Sequence, residues 1–252
     1  FLCILFTRHN LELFVRSTTF CVALPLNCIF LKKLFRMKTT NQQDNLQSTK
    51  ITNSSLGNYT TITSINISAS ILTIEDSSLS QCRFLQTIWV DPSNLQFASI
   101  DGILFTKNLD KLLCFPPRHH LSSYVIPPGV TSIGNSAFHN CNNLESITIP
   151  ASVTSIGESA FSHCNNLRSV TIPSNVISIG NSAFSGCNNL KSITIPASVT
   201  SIGDSTFFDC FLLQSITVES TNSHYESIDG ILFTKNLEKI ICFPASHPSR
   251  TY

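Results

Sequence analysis

Apolar and polar residues alternate in a short segment that recurs through the second half of the chain. In the segment LESITIP, Ile147 and Ile149 face one side of an extended strand, whereas Ser146 and Thr148 face the other. Pro150 follows at once and has no N–H group to donate to a strand ladder. The pattern predicts a half-buried strand that ends before this proline.

A second apolar alternation follows within the same unit. The segment VTSIG offers Val153 and Ile156 to the interior, and Gly157 is expected to turn the chain. The next segment, ESAFSHC, is too short for an independent helix, so it predicts one helical or 3₁₀ turn that directs Phe161 and Cys164 inward. Each unit is therefore one coil that has no core of its own.

The coils repeat with a period of 23 residues, seen as aligned columns of identical residues. A weaker copy lies upstream, with Ile67, Ile74, Leu79 and Cys82 in the same columns. Stacked coils would pair like strands with like and bury the columns against one another. The columns are Ile126, Ile149, Ile172 and Ile195; Ile133, Ile156, Ile179 and Ile202; Phe138, Phe161, Phe184 and Phe207; and Cys141, Cys164, Cys187 and Cys210.

A longer unit interrupts this series twice. The segment FASIDGILFTKNLDKLLCFP from Phe97 recurs from Tyr225 with few changes, an offset of 128 residues. Its Asp101-Gly102 pair between apolar runs is a strong hairpin signal, because both central residues of a type I′ turn need positive φ. We expect a three-stranded meander that projects from the solenoid and is repeated at 228–243.

The unit I-P-x-x-V-T-S-I-G-x-x-A-F-x-x-C-x-x-L-x-S-I-x, with its I-D-G-I-L-F insertion, resembles the BspA-like leucine-rich repeat family of microbial surface antigens. The resemblance covers about residues 60–252. It implies a β-rich solenoid, a right-handed leucine-rich-repeat superhelix with a parallel sheet on one face and β-hairpin insertions. It also implies adhesion or recognition at a cell surface and brings no catalytic residue.

Three regions are expected along the chain. Residues 1–36 form an apolar segment that could be non-coding, signal-like or a packed cap, because 18–31 is mostly apolar but too short to span a bilayer. Residues 37–60 are a polar Ser/Thr/Asn-rich linker. Residues 61–252 form the leucine-rich repeat solenoid, with variant insertion units at about 90–125 and 218–252. The chain is either a fragment or starts at Met37, its single methionine.

Charge is sparse and balanced. Charged residues make up 12% of the chain and the formal net charge is +1. The chain therefore lacks the excess of basic residues that is typical of a nucleic-acid binder. No nucleophile elbow, phosphate loop or metalloprotease motif occurs, so we expect neither enzymatic activity nor a cofactor.

Ten cysteines raise the possibilities of buried free thiols, stacked disulfides or a metal site. Four of them recur once per coil beside the phenylalanine column, where a small apolar thiol packs well. A zinc site needs converging ligands, and a ladder on successive coils lines them up instead. We therefore favour buried thiols and expect no metal site.

Other polar residues have ordinary structural interpretations. His139 and His163 are expected in surface turns, and the Asn pairs 142–143, 165–166 and 188–189 at stacked bends. The sequons at Asn53, Asn58 and Asn66 would carry glycans only in a secreted protein.

The outward side of the parallel strands is the best candidate binding face. Solenoids use such extended faces for recognition, although Ser and Thr are also ordinary soluble strand residues. The predicted face consists of Glu145, Ser146, Thr148, Arg168, Ser169, Thr171, Lys191, Ser192, Thr194, Gln214, Ser215 and Thr217.

The sequence thus predicts a non-enzymatic interaction or adhesion module that binds a protein or glycan, at the cell surface or outside the cell. No nucleic acid is expected as a partner, and membrane association would need a segment beyond the repeats. Two alternatives stay open: a structural spacer or stalk, and an intracellular repeat scaffold if Met37 is the start.

Overall fold

The computed structural model describes residues 2–7, 10–17, 20–25, 49–52 and 61–248. The chain divides into two compact units, residues 1–45 and 46–252. The first unit is an antiparallel meander of β1 (Leu2–Thr7), β2 (Asn10–Ser17) and β3 (Phe20–Pro25). The signal-like stretch 18–31 overlaps β3 and otherwise lies outside the described residues, as does most of the predicted linker.

The second unit is a solenoid of short strands. In chain order they are β4 (Lys50–Ile51), β5 (Ser64–Ile67), β6 (Thr73–Ile74), β7 (Thr87–Val90), β8 (Phe97–Ile100), β9 (Ile103–Thr106), β10 (Lys111–Cys114), β11 (Ser123–Val125), β12 (Ser132–Ile133), β13 (Ser146–Thr148), β14 (Ser155–Ile156), β15 (Ser169–Val170), β16 (Ser178–Ile179), β17 (Ser192–Ile195), β18 (Ser201–Ile202), β19 (Ser215–Val218), β20 (Tyr225–Ile228), β21 (Ile231–Thr234) and β22 (Ile240–Cys242).

Two parallel ladders run along the solenoid. Sheet A contains the S-I-T-I strands, hydrogen-bonded in three groups: β5-β7, β11-β13-β15 and β17-β19. Sheet B contains the shorter S-I-G strands, with β4 paired to β6 and β12, β14, β16 and β18 in succession. The predicted parallel sheet on one face is confirmed as sheet A, and the second apolar alternation forms a ladder as well.

The first insertion is built into sheet B, so the prediction that it projects from the solenoid is wrong for this unit, whereas β20, β21 and β22 of the second insertion form a separate three-stranded sheet. Strand β10 pairs with β9 in antiparallel and with β12 in parallel orientation, which brings Leu112 opposite Ile133. Phe105 and Leu112 are fully buried because the next coil covers them. The predicted hairpin turn is confirmed, since Asp101 and Gly102 have φ of 51° and 81°.

The expected helical or 3₁₀ turn is replaced by consecutive turns, and residues 49–52 and 61–248 contain no helix. Ser159 and His163 have positive φ, of 52° and 58°, which breaks any helical run. Between them, the Phe161 N–H donates to the Ala183 carbonyl of the next coil at 2.7 Å. Backbone hydrogen bonds thus join coils here instead of closing a helix.

The glycine column serves close stacking. The sequence predicts a turn at Gly157, but the structure gives a different reason for this glycine: a Cβ added there would lie 2.7 Å from the backbone nitrogen of Asn135 in the preceding coil. The position needs glycine because two backbones approach each other, not because of an unusual φ.

A stack of phenylalanine rings forms the centre of the core. The rings of Phe138, Phe161 and Phe184 are fully buried, with neighbouring centroids 4.9 and 5.3 Å apart and nearly parallel planes. Phe207 continues the stack at one end and Phe115, from the insertion, at the other. A second apolar cluster extends upstream of the first insertion to Ile51, which is 1% exposed.

Candidate binding face

Sheet A presents two rows of polar side chains to solvent. One row contains Ser146, Ser169 and Ser192, and the other contains Thr148 and Thr171 with their equivalents. All twelve residues of the predicted face are solvent-exposed except Ser215, which is half-buried. The face is therefore accessible, as the strand alternation predicted.

Within each hydrogen-bonded group of sheet A, equivalent residues lie opposite each other. Ser146 lies opposite Ser169, and Thr194 lies opposite Thr217. Paired strands are about 4.7–4.9 Å apart, so equivalent side chains repeat at that spacing. The Ser146 hydroxyl donates to the Ser123 hydroxyl at 2.9 Å, which extends the serine row by one coil.

The charged flank of the face is internally paired. Arg168 contacts Glu145 of the preceding coil, with an N···O distance of 3.3 Å. Both side chains are at least half exposed, so the pair adds little stability but leaves Lys191 as the neighbouring cation. The flank is mixed in sign, not a positive stripe.

Trp89 is the functional candidate that the sequence reasoning missed. It is the single tryptophan of the chain and stands in the column that Thr148, Thr171, Thr194 and Thr217 occupy in other coils. Half of its surface is exposed. The repeat pattern contains the signal: Trp89 lies one regular repeat and one longer insertion unit before Thr148, which places an aromatic residue in the threonine row.

A groove lies beside Trp89, between β7 and the first hairpin. Its volume is about 360 Å³. The hairpin tip occupies the free edge of β7: the Ile88 N–H donates to the Gly102 carbonyl at 2.8 Å, and the Val90 N–H donates to Ser99 Oγ at 3.1 Å. Polar groups on its walls include Asp91, Ser99, Asp101 and Lys107.

The repeated cysteines are buried thiols. The Cys164 thiol donates to the Phe138 carbonyl at 3.0 Å, and the Cys187 thiol to the Phe161 carbonyl at 3.2 Å. Burial raises the pKa of Cys210 to about 12. Neutral thiols that donate to backbone carbonyls are structural groups, as the column position predicted.

The histidines have separate roles. His139 is half-buried, and its ring meets that of His163 edge-on at 5.6 Å, so the two turns bring them together across coils. Burial lowers the pKa of His139 to about 4, helped by His163 and Arg83 nearby. His163 is exposed in a left-handed turn, as predicted.

His119 fastens the hairpin tip to the solenoid. Its side chain is buried, and Nε2 is 2.9 Å from the Asp101 carbonyl oxygen. His247 makes the same contact with Asp229 in the second insertion. The recurrence of both histidines at the 128-residue offset was a signal that could have identified this role.

Amides support the bends. The Asn166 Nδ2 donates to the Asn142 carbonyl and the Asn189 Nδ2 to the Asn165 carbonyl, both at 2.7 Å, which confirms the stacked asparagines. Asn66, exposed on β5, is the only one of the three sequons within the described residues.

Residues 49–52 and 61–248 bring no three metal-ligating side chains together. In the same part of the chain, no helix has the length and apolar character needed to cross a membrane.

The chain matches the family described as "BspA type Leucine rich repeat region", in six copies, over residues 32–114 and 111–238. A comparison with curated proteins gave no match.

Solved structures share the fold. The pneumococcal vaccine antigen PcpA is 24% identical, with a TM-score of 0.61 over 64% of this chain and 40% of that protein. A leucine-rich repeat protein from Eubacterium ventriosum is 24% identical, with a TM-score of 0.55 over 73% and 56%. A leucine rich cell surface protein from Faecalibacterium prausnitzii is 30% identical, with a TM-score of 0.52 over 64% and 49%. The chain thus spans between 40% and 56% of the length of these three proteins.

Proposed function

The chain belongs to the BspA-type leucine-rich repeat family, and we propose that it is a non-enzymatic interaction module that binds its partner through the exposed rows of sheet A. The observation that carries the proposal is the in-register exposure of these rows. Ser146, Ser169 and Thr148 are solvent-exposed, while Ile147 between them is buried. An extended face of this kind is what solenoid proteins use for binding.

The partner we propose is an extracellular protein or glycan, met at a cell surface. Support comes from the similar structures, one of which is a vaccine antigen and another a cell surface protein. The chemistry of the face is consistent with either partner, because it offers hydroxyl groups and charges of both signs.

A charge reversal on the face tests the proposal. Arg168→Glu with Lys191→Glu removes both cations of the flank and adds two acidic groups to that of Glu145, which makes three. This changes the local potential and hence partner encounter, whereas exposed charge changes alter stability by about 0.5 kcal/mol or less. Binding would be measured on panels of immobilised matrix proteins and glycans.

The matched control lies on the turn side. Glu158→Lys with Asp204→Lys changes the same number of exposed charges away from sheet A. We expect binding to fall in the face variant and to persist in the control. Equal binding by the parent and both variants would exclude sheet A as the binding face and favour the alternative that the chain is a structural spacer.

A further inference from the structure

The first insertion creates a concave site beside sheet A. Sheet A is interrupted after β7, because the hairpin tip lies beside β7 where the next parallel strand would pair. The groove of about 360 Å³ opens at this interruption. Its size falls in the range of small-ligand sites, roughly 300–1,000 Å³.

One wall of the groove carries Trp89. Four other coils have threonine at this position of sheet A, including Thr217 on the strand before the second insertion, whereas Asn66 and Val125 occupy it in the two flanking coils. Strand alternation keeps Trp89 on the outer side of β7, between buried Ile88 and buried Val90. A half-exposed indole thus supplies a flat apolar surface beside hydrogen-bonding groups.

The polar groups that line the groove indicate which chemical class of ligand it can bind. Asp91 and Asp101 disfavour an anionic ligand, and Lys107 offsets them, with its Nζ 3.2 Å from the Pro92 carbonyl. An extended peptide would bind by pairing with the edge of β7. The hairpin already accepts hydrogen bonds from the N–H groups of Ile88 and Val90 at this edge, so a peptide cannot pair there. A neutral ligand with one apolar face and several hydroxyl groups fits both observations.

We propose that the Trp89 groove binds a neutral saccharide, one sugar ring stacking on the indole while its hydroxyls bond to Asp101 and Lys107. This names the ligand class for one part of the face described above and rests on that proposed function. The second insertion, which has threonine in place of the tryptophan, lacks the stacking surface.

Tryptophan fluorescence provides a direct readout, because Trp89 is the single tryptophan. The full chain would be made in a host without N-glycosylation, since Asn66 pairs with Trp89 in the strand register and begins a sequon. The probes are the methyl glycosides of glucose, galactose and mannose, N-acetylglucosamine, cellobiose and lactose. Sialic acid serves as an anionic probe.

The decisive variant is Trp89→Thr, which installs the residue that four other coils carry at this position, so we expect the fold to be preserved. We expect a saturable change of Trp89 emission with at least one neutral probe. Saturation-transfer NMR on the sugar should show at least about tenfold weaker binding to Trp89→Thr, the equivalent of about 1.4 kcal/mol. Trp89→Phe should retain part of the affinity, and Asp101→Asn should weaken it.

No response to any neutral probe at about 10 mM would overturn the proposal, since that limit excludes even weak specific binding. Binding of sialic acid alone, or equal sugar binding by the parent and Trp89→Thr, would overturn it too. The Arg168→Glu, Lys191→Glu variant separates the two proposals. If that variant loses matrix binding while no sugar binds the parent, only the saccharide inference fails.

Discussion

The thiol of Cys164 donates a hydrogen bond to the backbone carbonyl of Phe138, one coil away, at 3.0 Å. The relationship repeats from Cys187 to Phe161 and from Cys210 to Phe184. Each coil is thus joined to the preceding one by a side-chain hydrogen bond beside the stacked phenylalanine rings. The cysteine and phenylalanine columns therefore stabilise the stacking of coils together, and substitutions in each column can test this.

Phe161→Ala should destabilise the solenoid by about 3–5 kcal/mol, because it empties the middle of the ring stack. Equilibrium unfolding in urea measures the effect. Ser162→Ala, one residue along and outside the stack, is the control. A loss of under about 1 kcal/mol would contradict the buried position of the ring.

Stability should fall as the pH rises above about 9. Burial raises the pKa of Cys82 to about 11 and that of Cys210 to about 12, from 9.0 in the unfolded chain. Above pH 9 the unfolded chain releases thiol protons that the native state keeps, so unfolding becomes more favourable with each pH step. The two thiols therefore contribute their full stabilisation below pH 9, and this stabilisation is lost as the pH rises through their native pKa values of about 11 and about 12.

Urea midpoints between pH 8 and pH 11 check this thiol effect. Replacing Cys82 and Cys210 by alanine should flatten the curve, although the variant is less stable at every pH. A parent midpoint that stays level across this range would contradict the raised thiol pKa values.

A second pH effect should appear on the acidic side. The pKa of His139 is about 4 in the native state, against 6.5 for an ordinary histidine, because burial penalises the imidazolium and His163 and Arg83 add repulsion. Below pH 6.5 the unfolded chain binds a proton that the native state refuses. Stability is therefore complete above pH 6.5 and falls as the pH decreases towards 4.

His139→Ser tests that contribution, because serine occupies the same column in the next coil as Ser162. Between pH 6.5 and pH 4, the free energy of unfolding should fall less in the variant than in the parent, as measured by urea unfolding. NMR titration of His139 in the parent gives an independent value. A His139 pKa near 6.5 would contradict the burial described here.

Gly102→Ala should destabilise more than Gly129→Ala. Both glycines have positive φ, of 81° and 110°, so each substitution strains the backbone by about 1–2 kcal/mol. Only at Gly102 would the new Cβ also collide with the Thr87 side chain, whereas Gly129 has open space. Thermal unfolding of both variants separates backbone strain from collision, and equal losses would contradict the close packing of the hairpin on β7.

The coil could be predicted from the amino-acid pattern. Strand side chains alternate between two sides, so the spacing of Ile147 and Ile149 alone assigns the interior, and a fixed period carries that assignment to every coil. The Asp101-Gly102 turn was equally predictable, because a type I′ turn needs positive φ at both central residues and an Asp-Gly pair adopts it readily. Local geometry and repetition together were sufficient for these features.

The neighbours of each residue in adjacent coils could be identified only from the packed fold. The sequence does not state that β10 joins sheet B, that His119 reaches the Asp101 carbonyl, or that Arg168 pairs with Glu145. The Trp89 groove has the same origin, since it exists only where the inserted hairpin replaces a parallel neighbour of β7. Such contacts join residues far apart in the chain, and their distances depend on how the insertion packs, which no local pattern encodes.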